Sequence, residues 1–259
     1  MVIQQIDDRN ALEIYFRIDP SLHLYSLGDL DDFYWPRITC YGTRRGGALK
    51  NITPFYQGED LPVLLAFGEL EPDYLRQLQS LLPDSFYAHL SPGLIEHFSN
   101  SYRVTPHGNH FKMGLVNSDP IWLANTENTF QIAEADLSEV NELYQQSYPE
   151  NAFDPRMLKS GQFIGLRYQG RLVSIAGIHS YSAAYRVAAL GNITTHPEYR
   201  GQGHGKAVTA RLCQLLENSV DFIGLHVKCT NQSALSLYQS LGFRISSVYS
   251  EFSLQKSPK

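Results

Sequence analysis

The chain has 259 residues, of which 43% are hydrophobic and 18% are charged, and its formal net charge at pH 7 is −5. This composition is typical of a packed globular protein and differs from that of a disordered chain. The negative charge argues against general nucleic-acid binding, which needs a basic surface to neutralise phosphates. No apolar stretch approaches the ~20 residues that span a bilayer, so we expect no membrane segment.

The cysteines and the first residues predict the cellular compartment. Cys40, Cys213 and Cys229 are odd in number and form no CxxC pair, so we expect neither a disulfide framework nor a thiolate zinc site. The opening MVIQQIDDRN has no basic segment followed by an apolar run, and a secretory signal is therefore not expected. The prediction is a reduced, cytoplasmic protein that binds no metal.

The first half of the chain predicts alternating helices and strands. Leu12, Tyr15 and Phe16 mark an early helix. Three strands are predicted at 38–41, 48–56 and 62–67, followed by a helix at 73–82, a strand at 86–90 and a short helix at 93–98. A final strand or hairpin is predicted at 102–116. The polar stretch 117–128, with Pro120 and several turn formers, is predicted to join the two halves.

The second half begins with a predicted strand at 129–135. Asp136 and Glu139 form a capping-box pattern for the helix that follows. Strands are predicted at 162–168, 172–180 and 185–195, and the tight turn Gln169-Gly170 makes the first two an antiparallel hairpin. A glycine-rich turn then opens an amphipathic helix around 208–216, followed by a strand at 222–227, a helix ending near Gly242 and a last strand at 243–254.

The order of these elements predicts the fold class. The second half reads strand, helix, three strands, helix, strand, helix, strand, which is typical of a mixed α/β sheet with helices packed on it. The first half has nearly the same order, which favours a duplicated architecture with domains at 1–120 and 125–259. An unrelated α/β domain at 1–120 is the alternative.

The segment Arg200-Gly201-Gln202-Gly203-His204-Gly205 carries the strongest chemical signal. It follows a predicted strand and opens a helix, so its backbone N–H groups and the helix dipole would form an anion site suited to a pyrophosphate. A glycine-rich turn alone is weak support, because such turns also occur for structural reasons. The segment is neither a GxxxxGK[ST] P-loop nor a GxGxxG dinucleotide turn.

Three ordered motifs identify a family resemblance. Arg200, Gly203 and Gly205 match R/Q-x-x-G-x-G/A, and 192–199 looks like the strand end and proline-containing link that precede it. Residues 231–243 match N-x-x-A-x-x-L-Y-x-x-x-G-F. Together these motifs resemble the GNAT superfamily over roughly 129–255. The resemblance implies the GNAT acyl-CoA N-acyltransferase fold, duplicated along this chain.

The resemblance also implies an acetyl-CoA site without a metal. The backbone of the fourth strand of the domain would pair with pantetheine, and the turn would hold the pyrophosphate, with added charge from Arg200 or Lys206. Asn231 would bond the CoA moiety, although it also stands where a helix N-cap belongs. The residues implied in cofactor binding are Ile193, Thr194, Thr195, Arg200, Gly201, Gln202, Gly203, His204, Gly205, Lys206 and Asn231.

Tyr238 is the catalytic residue that the resemblance implies. The family's tyrosine at this position protonates the departing thiolate, and a neutral phenol can donate at neutral pH. Core packing beside Ala234 and Leu241 is the alternative role. The general base is not readable from the sequence, and the candidates that could border the cleft are Glu150, Asp154, His179, Asn192, His196 and Glu251.

The predicted reaction is transfer of an acetyl group from acetyl-CoA to a primary amine by direct attack. A glycine N-acyltransferase-like enzyme with another acyl-CoA and a non-catalytic acyl-CoA-binding module are the alternatives. The first half, as a GNAT-like copy, is predicted to lack a cofactor site. Its corresponding turn, 68–73, has one glycine, three carboxylates and Pro72, which has no backbone donor. The acceptor amine and the oligomeric state are not fixed by the sequence.

Overall fold

The computed structural model describes residues 2–58 and 61–257. Within them the chain forms two compact units. The first unit comprises the described residues of Met1–Lys112, Lys228–Thr230 and Ser246–Lys259, and the second comprises Met113–Val227 and Asn231–Ile245. None of the helices in the described part combines the length and the apolar character required to cross a bilayer.

The first half of the chain supplies six strands and three helices to the described structure, in an order close to the predicted one. These elements are β1 (Gln4–Gln5), α1 (Arg9–Phe16), α2 (Leu24–Gly28), β2 (Ile38–Arg45), β3 (Ala48–Tyr56), β4 (Val63–Ala66), α3 (Pro72–Gln79), β5 (Ser85–Leu90) and β6 (Tyr102–Leu115). Short 3-10 helices occupy Trp35–Arg37 and Leu94–His97.

Local chemistry explains where these elements start and which side they bury. The Asp8 carboxylate accepts a hydrogen bond from the Ala11 amide at 3.1 Å and caps α1. Pro72 begins α3, where its missing N–H costs nothing. In β5 every second residue is buried, so Phe86, Ala88 and Leu90 face the core of the first unit, beside α3.

The second half supplies the remaining elements. They are α4 (Asp119–Leu123), β7 (Thr129–Gln131), α5 (Leu137–Ser147), β8 (Ile164–Tyr168), β9 (Arg171–Ser182), β10 (Val187–Thr195), α6 (His204–Leu216), β11 (Phe222–Lys228), α7 (Gln232–Ser240) and β12 (Phe243–Lys256). Short 3-10 helices occupy Glu134–Asp136, Pro155–Ser160 and Pro197–Tyr199. Part of the second unit's core packs α5 against β9 through Val140, Leu143, Leu172 and Ile175.

Each unit contains a mixed sheet. In the first unit β1, β2, β3 and β4 pair antiparallel in sequence, β4 and β5 pair parallel, and the last part of β12 pairs antiparallel with β5. In the second unit β7, β8, β9 and β10 pair antiparallel in sequence and β10 pairs parallel with β11. The predicted mixed α/β class is therefore confirmed, and the two units repeat one order of elements.

Several predicted boundaries differ from the structure. The strand predicted at 129–135 ends at Gln131, because the Asp136 carboxylate accepts from the Ala133 amide at 2.9 Å and turns the chain into a 3-10 helix. The predicted linker 117–128 contains α4, and α2 also had no prediction. Both helices have five residues, too few for a helical repeat to show in the sequence. The open choice at 102–116 resolves as one long strand.

The last strand also differs from the expectation of a simple division near residue 120. The residues of β12 from Ser246 onward belong to the first unit, where Ser250 to Gln255 pair with Leu90 to Ser85. This partner lies about 165 residues away in sequence. Local patterns predict the strand but carry no information about so distant a partner.

Candidate functional site

The parallel strands β10 and β11 of the second unit diverge. Their ladder runs from Val187 opposite Phe222 to Leu190 opposite Leu225. Strand β10 continues to Thr195 and β11 to Lys228, but the described ladder records no pairing between them beyond Leu190. The β11-facing backbone groups of 191–195 are therefore offered to some other partner, as at the edge of a sheet.

Two register shifts between β9 and β10 flank this point of divergence. One inserts His179 as an extra residue of β9, between the pairs Ala189–Ser180 and Leu190–Ile178. The other inserts an extra residue of β10 between the pairs Gly191–Gly177 and Thr194–Ile175. Such bulges bend a strand and redirect its side chains, and they occur often beside functional sites.

Asn192 lies in the second bulge with a positive φ of 54°, a conformation that asparagine tolerates better than most residues. Its amide Nδ2 donates to the Ile178 carbonyl at 3.0 Å, and the Tyr144 hydroxyl donates to the Asn192 carbonyl at 2.8 Å. Burial raises the pKa of Tyr144 well above its ordinary value, so this hydroxyl stays a donor. The bulge is thus held from both sides.

The three predicted strand residues follow directly. Ile193, Thr194 and Thr195 are half-buried at the end of β10. The Ser174 hydroxyl lies 3.2 Å from the Thr194 carbonyl oxygen and 2.8 Å from the Thr195 hydroxyl. The Arg200 guanidinium donates to the Thr195 carbonyl at 3.1 Å, so this predicted residue braces the strand end while its side chain remains exposed.

The glycine turn leads from the strand end into α6. Gly201 and Gly203 have φ values of 75° and 83°, which residues with a side chain adopt only under strain. A Cβ atom built on either glycine meets nothing within 4 Å, so the outer side of the turn is open. Gly205 is needed for space instead, because a Cβ there would lie 3.2 Å from both Leu237 Cδ1 and Thr195 Oγ1.

The start of α6 presents donors to this open turn. The first intrahelical bond runs from the Ala207 amide to the Gly203 carbonyl at 3.0 Å, so the amides of 204–206 precede the helical ladder. Gln202 is exposed and Lys206 is half-exposed. The His204 ring lies 6.1 Å from the Tyr168 ring, and its buried Nε2 has no hydrogen-bond partner among the described residues. An anion would find amides, a dipole and a lysine here.

The two predicted residues of α7 lie at its start and in its buried face. The Asn231 carboxamide oxygen accepts from the Ala234 amide at 3.1 Å, so Asn231 is the N-cap of α7. Tyr238 is buried and contacts the Phe243 ring edge-on at 6.0 Å. Burial, with smaller effects of Tyr148 and Cys213, raises its pKa above the ordinary value. Among the described hydrogen bonds, none involves the Tyr238 hydroxyl. The phenol is therefore neutral near pH 7 and can donate.

The remaining polar candidates are distributed over both units. Glu150 is exposed in the loop after α5, and Asp154 caps the 3-10 helix Pro155–Ser160 and binds Arg156. Glu251 belongs to the first unit. Across residues 2–58 and 61–257, no group of three or more His, Cys, Asp or Glu side chains has an arrangement that could hold a metal ion.

Comparison with known proteins shows which family this part of the chain resembles. Residues 126–243 match the model of the Acetyltransferase (GNAT) family. The chain is 42% identical over 57 residues to the [ribosomal protein bS18]-alanine N-acetyltransferase of Escherichia coli K12, a match that covers 22% of this chain and 38% of that enzyme. It is 30% identical over 102 residues to the N-alpha-acetyltransferase RimI of Mycobacterium tuberculosis, covering 38% of this chain and 61% of that enzyme. These alignments span less than two thirds of either relative.

A solved structure resembles the whole chain. The tandem GNAT protein from the clavulanic acid biosynthesis pathway, solved without acetyl-CoA, aligns with a TM-score of 0.58 and 13% identity. The alignment covers 100% of this chain and 99% of that one. At this identity the likeness concerns the fold alone. It confirms the predicted GNAT fold and its duplication along the chain.

Proposed function

Since residues 126–243 form a domain of the GNAT family, we propose that this protein is an N-acetyltransferase that moves an acetyl group from acetyl-CoA to a primary amine. One observation carries the proposal: β10 leaves β11 after Leu190, and the strand end leads directly into an open, glycine-lined helix N-terminus. An exposed strand edge suits the amides of pantetheine, and the turn suits a pyrophosphate.

The residues present fit acyl-CoA by several independent features. The turn has space outside Gly201 and Gly203, its amides at 204–206 are outside the helical ladder, and Lys206 adds a positive charge. In this assignment the backbone of Ile193, Thr194 and Thr195 binds the pantetheine arm. The Arg200 guanidinium donates a hydrogen bond to the Thr195 carbonyl at the strand end. Asn231 caps the start of α7 and contributes a polar side chain to the acyl-CoA site.

The proposed chemistry is direct transfer. A neutral amine attacks the thioester carbonyl, and backbone N–H groups at the bulge in β10 stabilise the developing oxyanion. Tyr238 protonates the departing sulfur as the carbon–sulfur bond breaks. Its raised pKa keeps the phenol protonated at pH 7, so the hydroxyl is available as a donor.

The pKa of the acceptor sets how much help the enzyme must give. Freeing a lysine-like amine with a pKa of about 10.4 costs about 4.6 kcal/mol at pH 7. An α-amine with a pKa near 8 costs only about 1.4 kcal/mol. The names of the two relatives specify an alanine N-acetyltransferase and an N-alpha-acetyltransferase. We therefore propose an α-amine as the acceptor.

The test is release of free thiol from acetyl-CoA. Three acceptors are compared: a peptide with a free N-terminal alanine, a peptide whose N-terminus is acetylated and whose lysine side chain is free, and glycine. Amine-dependent thiol release, with the acetyl group found on the amine by mass spectrometry, supports the proposal. Binding of acetyl-CoA without turnover for any amine would instead identify a binding module. Turnover of glycine with a longer or aromatic acyl-CoA alone would identify a glycine N-acyltransferase-like enzyme.

A further inference from the structure

The sequence leaves six candidates for the group that removes a proton from the acceptor amine, and the structure separates them. The Asp154 carboxylate caps a 3-10 helix and binds Arg156. The His196 ring accepts from the Glu198 amide at 3.3 Å through Nδ1, and its Nε2 lies 3.4 Å from the Arg171 guanidinium. These two side chains are occupied by structural tasks.

Three others are unsuitable for different reasons. Asn192 carries a carboxamide, which is not a base at neutral pH, and its Nδ2 is bound to the Ile178 carbonyl. Glu150 is exposed to water in a loop. The Glu251 carboxylate accepts hydrogen bonds from the hydroxyls of Tyr87 and Tyr249 within the first unit.

His179 lies against the strand where the acyl donor is proposed to bind. As the extra residue in the bulge of β9, it turns its ring onto Gly191 of β10. A Cβ atom built at Gly191 would lie 2.0 Å from Cδ2 and 2.4 Å from Nε2 of that ring. Any side chain at 191 would therefore displace the imidazole, so the glycine makes room for the histidine.

The contact between His179 and Gly191 lies at the point where β10 leaves β11. Gly191 is the first residue after the last β10–β11 pair, and it precedes the bulge at Asn192. Ile193, whose backbone is proposed to bind the pantetheine arm, lies two positions further along the chain. The ring of His179 is half-exposed, so it combines a fixed seat with access to a ligand. An imidazole also exchanges protons near neutral pH more readily than other side chains.

We propose that His179 is the catalytic base for the acceptor amine, an inference that rests on the function proposed above. The protonated amine transfers one proton to the imidazole, which later passes it to water. The amine nitrogen then bonds to the acetyl carbon, the carbon–sulfur bond breaks, and the sulfur takes the Tyr238 proton. The second proton of the nitrogen returns to the Tyr238 phenolate. One acetyl-CoA and one ammonium thus give one amide, one CoA thiol and one released proton.

The experiment compares wild type with His179→Phe, which keeps a ring on Gly191, and with His179→Ala, which leaves a gap. The assays use acetyl-CoA from pH 6 to 10 with two acceptors. One is the alanine-starting peptide, and the other is the lysine peptide with an acetylated N-terminus and a free side-chain amine. We expect His179→Phe to lower kcat/KM at pH 7 about 10-fold with the alanine-starting peptide, and about 100-fold or more with the lysine peptide, whose amine is harder to deprotonate. Because higher pH frees the amine without a base, the loss should shrink as pH rises. Added imidazole should restore part of the rate of His179→Ala but none of that of His179→Phe.

Calorimetric titration with acetyl-CoA separates this inference from the proposed function. Unchanged acetyl-CoA affinity in both variants, with an altered pH profile, supports a base. A wild type that turns over amines beside variants with the same rates and pH profile would overturn the role of His179 and leave the function intact. A uniform loss of rate at every pH without imidazole rescue would assign His179 a packing role. Absence of wild-type turnover with every amine would contradict the proposed function itself.

Discussion

The parallel pairs β4–β5 and β10–β11 occupy equivalent positions in the two units but differ at their ends. In the first unit all of β4 pairs with β5, from Val63 opposite Tyr87 to Ala66 opposite Leu90. Contact continues beyond the strands, because the Ser91 amide donates to the Ala66 carbonyl at 3.0 Å. In the second unit pairing stops at Leu190, while β10 continues. One pair is closed and the other open.

The turns that follow these strands differ in the same way. After β4, the Gly68 amide donates to the Ser91 hydroxyl and the Glu71 amide to the Asn51 side chain, each at 3.0 Å. Pro72 has no amide hydrogen, and Asp73 adds an anionic side chain to the first turn of α3. Two amides of this turn are thus bonded within the unit, and a third position has no donor. The same order of elements yields an open glycine turn in one unit and a closed turn in the other. Loss of cofactor binding by the first half stays a prediction.

The largest expected effect is on catalysis in the second unit. Replacing Tyr238 with Phe keeps the packing on Phe243 but removes the proton donor. We expect kcat to fall by about 10²–10⁴ while acetyl-CoA affinity changes little. Steady-state kinetics and calorimetry measure the two quantities. Tyr87→Phe in the first unit is the matched control and should retain kcat. Equal kcat for Tyr238→Phe and wild type would make Tyr238 a packing residue.

The second effect concerns acetyl-CoA binding. The double variant Gly203→Val, Gly205→Val strains the turn and fills the space between α6 and α7. Because the amides at 204–206 can no longer approach a phosphate, we expect affinity to fall at least about 100-fold, or about 2.7 kcal/mol. Gly68→Val, at a positive φ in the closed turn of the first unit, is the control and should leave affinity unchanged. Weaker acetyl-CoA binding by the control, or normal binding by a folded double variant, would contradict the assignment of the acetyl-CoA site to the turn of the second unit.

The third effect concerns Glu251 and the polar cluster that it forms with Tyr87, His89, His110 and Tyr249 in the first unit. Burial favours the neutral form of Glu251, but His89, the Tyr87 hydroxyl, His110 and the Tyr249 hydroxyl together outweigh it and lower the pKa of the carboxyl. A carboxyl whose pKa is lowered in the folded protein stabilises the fold at pH values above its ordinary pKa of about 4.3. That stability is lost as the pH falls through the pKa of the folded state. Glu251→Gln should therefore cost about 1–3 kcal/mol at pH 7 and less below pH 4.

Urea unfolding at pH 7 and pH 3.5 measures this dependence. The exposed Glu127→Gln serves as the control and should match wild type at both values. A Glu251→Gln variant that is equally destabilised at both values would show that the carboxylate charge does not stabilise this cluster.

The smallest effect tests the closed end of the first strand pair. Ser91→Ala removes the acceptor of the Gly68 amide, and we expect the free energy of unfolding to fall by about 1 kcal/mol. Acetyl-CoA binding stoichiometry should remain one per chain, because the ladder of β4 with β5 persists. A second acetyl-CoA bound by this variant, detected calorimetrically, would mean that one hydrogen bond alone closes the first site. Ser233→Ala, on the exposed side of α7, is the control for stability.

The sequence predicted most of the regular elements, because their hydrophobic periods and turn residues are local. The helix beginning at His204 and the strands around 164–195 lie close to their predicted positions. Short elements failed this test, as α4 shows: it has a single buried residue, Ile121, and therefore no repeat to detect. The motif Arg200-x-x-Gly203-x-Gly205 likewise predicted a turn at a helix start, because only glycine accepts a φ of 83° without strain.

Sequence by itself thus determined the fold class, the family resemblance and the residues of the glycine turn, because each depends on neighbours within a few positions. Only the tertiary structure decided that Ser250 to Gln255 pair with β5, and that His179 rests on Gly191. It also decided that β10 separates from β11 while β4 stays paired with β5. Strand pairing and register depend on partners far away in the chain, so no local pattern carries them.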